Sequence, residues 1–471
     1  MRLKTPFIGG AYKSRSINLS CQRLVNLFPE MVDTKDGKEI AGFFGVPGKT
    51  LWGTVGNGPI QAQIVVNGIL YVVSGGRFYS VSSAGVGTLI GSGIGGTNVV
   101  MAASGTQIVI ISDPSGWCYT INGNTFASIT SAGFPSTQSV TYQDGYFICG
   151  TKNAQTFFIS NINDGSTWNA LNFASATEVG DYLVAPFSNH GILWLFGVQS
   201  TEFWYNSGDT FPFAKIASNT VRIGLAAVYS MATCADAVMF LGQSEQGAGI
   251  VYQGSGNTPQ RVSTHAIEKA IQSYSTISDA TAYSYEQEGH WFYVLSFPSA
   301  NATWCYDIST GYWHERMYLN NGTEDRDRGC NHAYYAGKHL VGDWQNGNIY
   351  SLDLATYTDN GNPLKWLRSW RAMPIGQDNL GRKAFNLLQI DCDAGVGVQT
   401  GQGSDPQALL RWSDDGGVTW SNGQGQSLGA IGQYQKYVRF KRLGSGSNRA
   451  FELSGSDPVK RAFIGAQLDY E

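Results

Sequence analysis

The segment Gly191–Phe196, with the sequence GILWLF, is followed after a polar turn by Glu202–Tyr205, with the sequence EFWY. This unit, a short apolar strand, a turn and a second strand with aromatic residues, recurs seven times. The repeats begin at Gly68, Gly105, Gly145, Gly191, Ala237, Gly289 and Gly337. Successive starts are about 45 residues apart on average, which is the length of one four-stranded blade of a β-propeller. The strands are apolar runs without strict alternation, which is typical of strands covered on both faces.

The repeats predict an all-β protein with a six- or seven-bladed β-propeller over residues 51–355. Residues 1–50 are expected to form an N-terminal arm that can supply a strand to close the propeller. From residue 356 the pattern changes, and strands such as Leu409–Trp412 and Tyr437–Lys441 predict a C-terminal β-sandwich or jelly-roll-like domain over residues 356–471. One helix is expected at Ser263–Tyr274, where apolar residues recur on one face. A plain β-sandwich would also have short strands, but it would not explain seven units at one spacing.

The composition agrees with short strands and tight turns. Gly accounts for 59 of 471 residues, aromatic residues for 13 % and charged residues for only 14 %. This argues against a disordered chain, a helical bundle and a coiled coil. The net charge is −4, which argues against a cationic nucleic-acid clamp. The charge is uneven, because residues 356–471 contain 13 Lys and Arg against 11 Asp and Glu, whereas residues 1–355 carry a net charge of −6.

No motif for a cofactor, a metal or a catalytic group is found. The seven Cys are scattered without a C-x-x-C pair, and the six His show no H-E-x-x-H motif or close spacing to carboxylates. There is no P-loop and no G-x-S-x-G motif. The N-terminus lacks the apolar core of a signal peptide, and no segment approaches the ~20 apolar residues of a membrane helix. We therefore expect no cofactor, no metal and no membrane anchor.

One turn matches the Asp-box of sialidase-type propellers, S-x-D-x-G-x-T-W. Its residues are Ser413, Asp415, Gly417, Thr419 and Trp420. A looser copy lies at Asn161–Trp168. The Asp of such a turn accepts backbone N–H groups of the same turn, so the motif is a hairpin staple and a structural role is expected. Sialidase catalysis is not expected, because the early Arg-Ile-Pro signature of those enzymes is absent.

Two charged segments are candidates for partner contacts. The densest charge run is Glu324, Asp325, Arg326, Asp327 and Arg328. Such a run is typically a solvated loop, and a partner contact is the alternative. The second candidate is Arg439, Lys441 and Arg442, which could contact an acidic partner. Charge on an edge strand also blocks aggregation, and this structural explanation stays open.

Five segments in a fixed order indicate a family. They are Arg23–Glu30 (RLVNLFPE), Gly45–Gly48 (GVPG), Thr201–Gly208 (TEFWYNSG), the Ser263–Tyr274 helix and Gly455–Val459 (GSDPV) before the final strand. In this order and at this total length, the chain resembles the packaged-DNA stabilisation proteins of short-tailed bacteriophages, also called tail hub or tail nozzle proteins. The resemblance runs nearly end to end. Loop lengths vary, so contact residues do not transfer.

The resemblance implies a non-enzymatic part of the virion tail, synthesised in the host bacterial cytoplasm. A homo-hexameric ring would dock below the portal and the adaptor, or head-to-tail connector, and extend the DNA channel. It would help to retain the packaged double-stranded DNA, mediate its ejection without sequence-specific binding, and carry tailspikes or tail fibres and a tail needle or plug. The low charge and many aromatic residues suit extensive contacts in a ring.

Two alternatives remain open from the sequence. The Asp-box and the aromatic residues are also compatible with a glycan-binding or sialidase-like propeller protein. A free-standing scaffold propeller of the host is the third interpretation. Cleavage of a glycan by the purified protein would favour the first alternative, and portal and adaptor genes next to this gene would exclude the second.

Overall fold

The computed structural model of the chain describes residues 1–16, 19–34, 37–374 and 381–471. These residues form strands almost throughout and one α-helix. The N-terminal arm alone contains seven strands. They are β1 (Arg2–Lys4), β2 (Tyr12–Lys13), β3 (Cys21–Gln22), β4 (Leu24–Val25), β5 (Leu27–Thr34), β6 (Gly37–Gly45) and β7 (Gly48–Thr54).

The next strands form six successive antiparallel sheets, the propeller blades. Blade 1 contains β8 (Ile60–Val66), β9 (Ile69–Ser74), β10 (Arg77–Val81) and β11 (Gly87–Ser92). Blade 2 contains β12 (Val100–Ala103), β13 (Gln107–Ser112), β14 (Ser115–Thr120) and β15 (Thr125–Ser128). Blade 3 contains β16 (Thr141–Gln143), β17 (Tyr146–Gly150), β18 (Thr156–Asn161) and β19 (Asp164–Ser175). Blade 4 contains β20 (Leu183–Asn189), β21 (Ile192–Gly197), β22 (Thr201–Asn206) and β23 (Phe213–Val221).

Blade 5 has a divided first strand. It contains β24 (Gly224–Leu225), β25 (Ala232–Cys234), β26 (Ala237–Ser244), β27 (Gly247–Ser255) and β28 (Thr258–Arg261). Helix α1 (His265–Gln272) follows; its N-cap is Thr264, and it buries Ile267 and Ile271. The helix is two residues shorter at each end than expected. Blade 6 contains β29 (Thr281–Gln287), β30 (His290–Phe297), β31 (Ala302–Asp307) and β32 (Tyr312–Glu315).

Blade 7 is completed by the arm. After a hairpin of β33 (Met317–Asn320) and β34 (Thr323–Arg326), the chain forms β35 (Gly329–Tyr335), β36 (Lys338–Asp343) and β37 (Asn348–Asp353). The outer strand of this sheet is β7, which pairs antiparallel with β37. The first strands of blades 7 and 1, β35 and β8, lie in contact and close the ring. The predicted propeller is confirmed, with six blades of consecutive strands and a seventh that takes one strand from the arm.

Recurring left-handed turns explain the repeat pattern. In blade 3 the first two strands are joined by Asp144 and Gly145, with φ of 50° and 92°. Positive φ at both central residues is the type I′ geometry that matches the twist of a hairpin, and Gly adopts it without steric cost. In blade 5 the turn residues are Ala235 and Asp236, with φ of 48° and 62°. Asp236 thus occupies the Gly position there, one residue before the predicted repeat start at Ala237.

The C-terminal domain is a β-sandwich. A link of β38 (Thr358–Asp359) and β39 (Asn362–Pro363) precedes it. Its strands are β40 (Trp366–Arg371), β41 (Lys383–Cys392), β42 (Gln407–Ser413), β43 (Gln424–Ser427), β44 (Val438–Lys441), β45 (Ser445–Gly446), β46 (Ala450–Gly455) and β47 (Ala462–Tyr470).

The arm joins the sandwich to the propeller. One sandwich sheet has the order β4-β40-β46-β42-β43, and β4 pairs in parallel with β32, so this sheet continues blade 6. The other has the order β44-β41-β47-β6-β5. The core between them combines Trp370, Phe440 and Phe451 with Phe7 and Phe43 of the arm. The predicted divisions at residues 50 and 355 stay predictions; residue 50 lies inside β7.

Candidate functional site

A buried ion cluster lies where the arm, blade 7 and the link to the sandwich meet. Lys49 of β7 places its Nζ 2.8 Å from Asp327 Oδ2 and 3.4 Å from Asp359 Oδ2. The three side chains are at most 5 % exposed. Asp327 precedes blade 7 and Asp359 belongs to β38. The cluster therefore joins three segments that are far apart in the sequence.

The electrostatics of this cluster favour the ion pair of Lys49 with Asp327, whereas burial raises the pKa of Asp359 above its ordinary value. Burial disfavours the ammonium form of Lys49, but the attraction of the Asp327 and Asp359 carboxylates outweighs the effect of burial. The pKa of Lys49 therefore lies above its ordinary value. Burial likewise opposes ionisation of Asp327, whereas Lys49 and Arg316 lower the pKa of this carboxyl below the ordinary value. Removal of Lys49 would leave Asp327 without this cation, whereas Asp359 would keep a longer contact with Arg328 Nη1, at 3.6 Å.

A second arm contact surrounds His290 at the start of β30. Its Nδ1 lies 2.8 Å from Asp307 Oδ2, and its Nε2 lies 3.2 Å from Glu30 Oε2 on β5. Burial lowers the pKa of the imidazole, but the two carboxylates raise it by more than burial lowers it, so the pKa of His290 lies above its ordinary value. Phe28, also on β5, packs its ring 5.0 Å from the His290 ring. This contact holds the arm against blade 6.

A third contact anchors the arm to the sandwich. Arg368 of β40 is fully buried, and its Nε donates to the Phe7 carbonyl at 2.7 Å. Its Nη1 donates to the carbonyls of Gly10 and Arg23, and its Nη2 donates to Gln22 Oε1. Burial lowers the pKa of this guanidinium to about 9. The side chain thus holds four points of the arm.

The propeller encloses an uncharged axial cavity of about 560 Å³. Its walls come from the first strands of the blades, with Gln63, Asn98, Tyr142 and Tyr229 among the lining residues. The described residues that line it include no Asp, Glu, Lys or Arg. His332 also lines the cavity, and burial lowers the pKa of its imidazole to about 3. The wall is therefore neutral at physiological pH.

The structure places the Asp-box residues in one turn after β42, in the sandwich and not in the propeller. Asp415 Oδ1 accepts from the Thr419 and Val418 N–H groups at 2.9 and 3.0 Å. Ser413 Oγ accepts from the Gly417 N–H at 2.8 Å. Hydrogen bonds from Thr419 and Ser413 hold the pKa of Asp415 well below its ordinary value. The Trp420 ring lies under the Arg411 guanidinium, at 4.9 Å. These are the contacts of a hairpin staple, and the absence of another role stays a prediction.

The charge run Glu324–Arg328 differs from the expected solvated loop. Glu324 pairs with Lys365, and the Asp325 carboxylate accepts from Asn301 and Asn320. The two arginines of the run lie over aromatic rings. The Arg326 guanidinium covers the Trp344 ring at 3.9 Å, and the Arg328 guanidinium covers the Tyr318 ring at 4.5 Å.

Asp327 of the same run is 4 % exposed and belongs to the buried ion cluster. Its side chain is therefore not available to a partner. Glu324 and Asp327 have partners near the sandwich link and on the arm, which a local sequence pattern does not reveal, whereas Asp325 and Arg326 contact residues of blades 6 and 7 and of the hairpin. A partner contact by the more exposed members stays a prediction.

Arg439, Lys441 and Arg442 lie together on the edge strand β44 and directly after it, and all three are exposed. Arg439 Nε donates to Gln389 Oε1 at 2.8 Å, and its guanidinium covers the Tyr437 ring at 4.4 Å. The residues that sequence reasoning missed are Lys49, Asp359, Glu30, His290 and Arg368. Their roles depend on partners about 260 to 360 residues away, and no local signal marks them.

In the described part of the chain, no helix is long and apolar enough to span a membrane. Within the same residues, no group of three His, Cys, Asp or Glu is arranged to hold a metal ion.

Comparisons with known proteins identify the family. The family model "Bacteriophage P22 Gp10, beta-propeller" matches residues 3–357, and "Bacteriophage P22 Gp10, beta-sandwich" matches residues 374–471. Comparison with curated protein sequences gives no significant match.

Among solved structures, the chain is similar to the computationally designed Ika8 protein, with 11 % identity, a TM-score of 0.38 and coverage of 64 % of this chain and 99 % of that one. It is also similar to the extracellular domain of the putative one component system BT4673 from B. thetaiotaomicron, with 10 % identity, a TM-score of 0.43 and coverage of 81 % and 47 %. The N-terminal domain of Nup159 shows 8 % identity, a TM-score of 0.42 and coverage of 71 % and 99 %. These similarities are too distant to carry an argument about function.

Both matched models describe one phage protein, so the chain is a structural phage tail protein. The chain belongs to the bacteriophage P22 Gp10 family, the packaged-DNA stabilisation proteins of short-tailed bacteriophages. The family implies a location in the virion.

Proposed function

We propose that six copies of the chain form a ring below the portal and adaptor of a short-tailed phage. The ring extends the DNA channel, retains the packaged genome and lets it pass at ejection. It carries the tailspikes or fibres and the needle or plug, and the chain is synthesised in the host cytoplasm. The observation that carries the proposal is the match of both family models, which together span nearly the whole chain.

The charge of the chain supports passage of DNA without tight binding. Each copy carries a net charge of −4, so a hexameric ring is anionic. An anionic or neutral lumen does not release the counterions of DNA, which is the main source of non-specific affinity. The genome can therefore slide through the ring.

A non-enzymatic role is supported by the axial cavity. Glycoside hydrolysis requires a pair of carboxyl groups or an equivalent nucleophile beside the scissile bond. The described residues that line the cavity carry no carboxylate and no guanidinium. The Asp-box lies in the sandwich, far along the chain from the blades. Neither feature favours the sialidase-like alternative.

Deletion of the gene from the phage tests the proposal. We expect particles that package DNA and then lose it, seen as a shift from full to empty heads in a density gradient, with restoration by the gene in trans. Cryo-electron microscopy of wild-type tails should show a ring of six copies next to the adaptor. Full, stable heads without the protein, or a wild-type virion that lacks it, would refute the proposal.

A further inference from the structure

The strand β44 is a basic edge of the sandwich, where β43 of the other sheet approaches it only through Gln424 Nε2, which donates to the Lys441 carbonyl at 3.4 Å. Val438 and Phe440 point into the core, whereas Tyr437, Arg439 and Lys441 alternate with them on the exposed side. β44 pairs with β41 on one side, and on its other side no strand pairs with it within the described residues. No Asp or Glu occurs between residues 416 and 451. Such an edge is suited to a partner of opposite charge.

The propeller has one face built from the turns between the first and second strands and between the third and fourth strands of its blades, here called the turn face. Neighbouring turns are joined by hydrogen bonds along this face. Asn67 Nδ2 donates to the Gly105 carbonyl at 2.6 Å, and Asn189 Nδ2 donates to the Asp236 carbonyl at 3.1 Å. The turn face is therefore a continuous, rigid surface.

The turn face is acidic over blades 3 to 6. Asp144, Asp209, Asp236, Glu286 and Glu288 are exposed there. Within the described residues, no Lys or Arg forms an ion pair with any of the five, and Asp236 has only a His neighbour at 3.4 Å. The apolar side chain of Ile162 is 60 % exposed on the same face, next to Gly145.

The opposite face of the propeller differs in how its charges are arranged. Some of its acidic side chains form ion pairs with cations of the same chain, such as Lys152 with Asp113 and Arg222 with Glu245, and Asp181 accepts hydrogen bonds from backbone N–H groups. The five carboxylates of the turn face are exposed and form no ion pair with Lys or Arg within the described residues, so they are available to a cation of another chain.

The placement of the sandwich relates the two surfaces. In the sheet β44-β41-β47-β6-β5, the β5 edge lies against the turn face of its own blade 6, through Glu30 and His290. β44 is the other edge, four strand spacings or roughly 19 Å away. A subunit of a closed ring needs two different, complementary patches, one for each neighbour. The acidic turn face and the basic edge are two such patches in one chain.

We propose that β44 of one copy docks on the turn face of blades 3 to 5 of a second copy and forms the contact that closes the ring. Arg439, Lys441 and Arg442 would lie opposite Asp144, Asp209 and Asp236, and Tyr437 would cover Ile162. This inference rests on the proposed function, because it assigns the contact between neighbouring subunits of that ring.

Charge exchange in the phage tests the contact. The first set, Arg439→Glu with Lys441→Glu, makes the edge acidic. The second set, Asp144→Asn, Asp209→Lys and Asp236→Asn, makes the turn face basic by the same amount of charge. Asn is used at residues 144 and 236 because both have φ in the left-handed region, which Asn tolerates. Each protein is supplied in trans to a phage that lacks the gene, and incorporation into purified particles is measured by immunoblot.

Each set alone should reduce incorporation by roughly tenfold or more, because like charges would face each other. The two sets in one chain should restore it. Arg77→Glu on the opposite face is the matched control and should have no effect. Thermal denaturation of each purified variant should show a melting temperature close to that of the wild type. Reduced incorporation is then caused by an assembly defect and not by unfolding.

Several results would overturn the inference. One is normal incorporation of a protein that carries either set alone. Another is reduced incorporation with the edge set that addition of the turn-face set does not restore, which would assign β44 to another partner. Normal assembly with slower DNA ejection by the turn-face set would assign that face to the DNA path. If the wild-type protein itself is absent from particles, the proposed function fails instead.

Discussion

Blades 1 to 4 and the junction around blade 7 are held together by different chemistry. Between blades 2 and 3, the contacts are apolar and include Val109, Ile111, Phe147 and Trp168. At the junction, Lys49 and its two carboxylates are buried in addition to apolar residues such as Val46 and Leu352. A stretch of consecutive residues builds each of the first four blades, whereas the junction joins segments about 280 and 310 residues apart.

This difference shows where the fold needs specificity. Within a blade, the two-residue turns determine the register of the strands. β7 has no such turn to its partner β37, and apolar residues alone would tolerate a shifted pairing. A buried cation must meet its carboxylates, since an unpaired buried charge is costly. The ion cluster therefore selects one register for the strand that closes the ring.

The most disruptive change should be Lys49→Met. It leaves Asp327 buried without Lys49 and Asp359 with the longer contact to Arg328 alone, and we expect a loss of about 3–5 kcal/mol in the free energy of unfolding. Denaturant unfolding of the purified protein measures it. Lys152→Met is the matched control, because Lys152 pairs with Asp113 at the surface, where an ion pair contributes at most about 1 kcal/mol. Equal stability of the two variants would refute the role of the cluster.

Truncation of an apolar side chain in the blades should lower the stability in a way that salt does not change, unlike the loss of the ion cluster. Leu193→Ala in blade 4 removes a fully buried side chain, and we expect a loss of about 2–4 kcal/mol. This loss should be independent of salt, because no charge is involved. Unfolding at low and high ionic strength checks this, and a strong salt dependence would contradict the proposed division between apolar and ionic regions.

Arg368→Met tests the anchor of the arm on the sandwich. The substitution removes hydrogen bonds to several arm carbonyls, and we expect a local loss of about 2 kcal/mol. The arm should detach before the propeller unfolds. Limited trypsin digestion should cleave faster after the exposed Lys13 and Arg15. Unchanged cleavage at these sites, with cleavage elsewhere as the control, would argue against the anchor.

The blades were predictable because their signal is local. The repeat of apolar strands with a left-handed turn, as at Gly145 and Gly191, is visible within a few residues. The change of pattern near residue 356 also indicated the sandwich. The junction was not predictable, because Lys49 and Asp359 look like ordinary surface charges. The pattern of the run Glu324–Arg328 predicts a solvated loop for the same reason, because Asp327 meets Lys49 only when the ring closes.

The smallest effect is expected from the contact between the arm and blade 6. Because Asp307 and Glu30 raise the pKa of His290 above the ordinary 6.5, protonated His290 stabilises the folded state. This contribution is complete below the pKa of the unfolded chain and is lost as the pH rises through the raised pKa. His290→Gln should therefore lower the melting temperature most at acidic pH, and the difference from the wild type should shrink above neutral pH. His332 titrates in both proteins, so its opposite pH dependence cancels in the difference. The charge of His290 is one cause of the lowered pKa of His314, so its removal makes a smaller contribution of opposite sign at acidic pH. A difference that stays constant with pH would mean that His290 acts by packing against Phe28 alone.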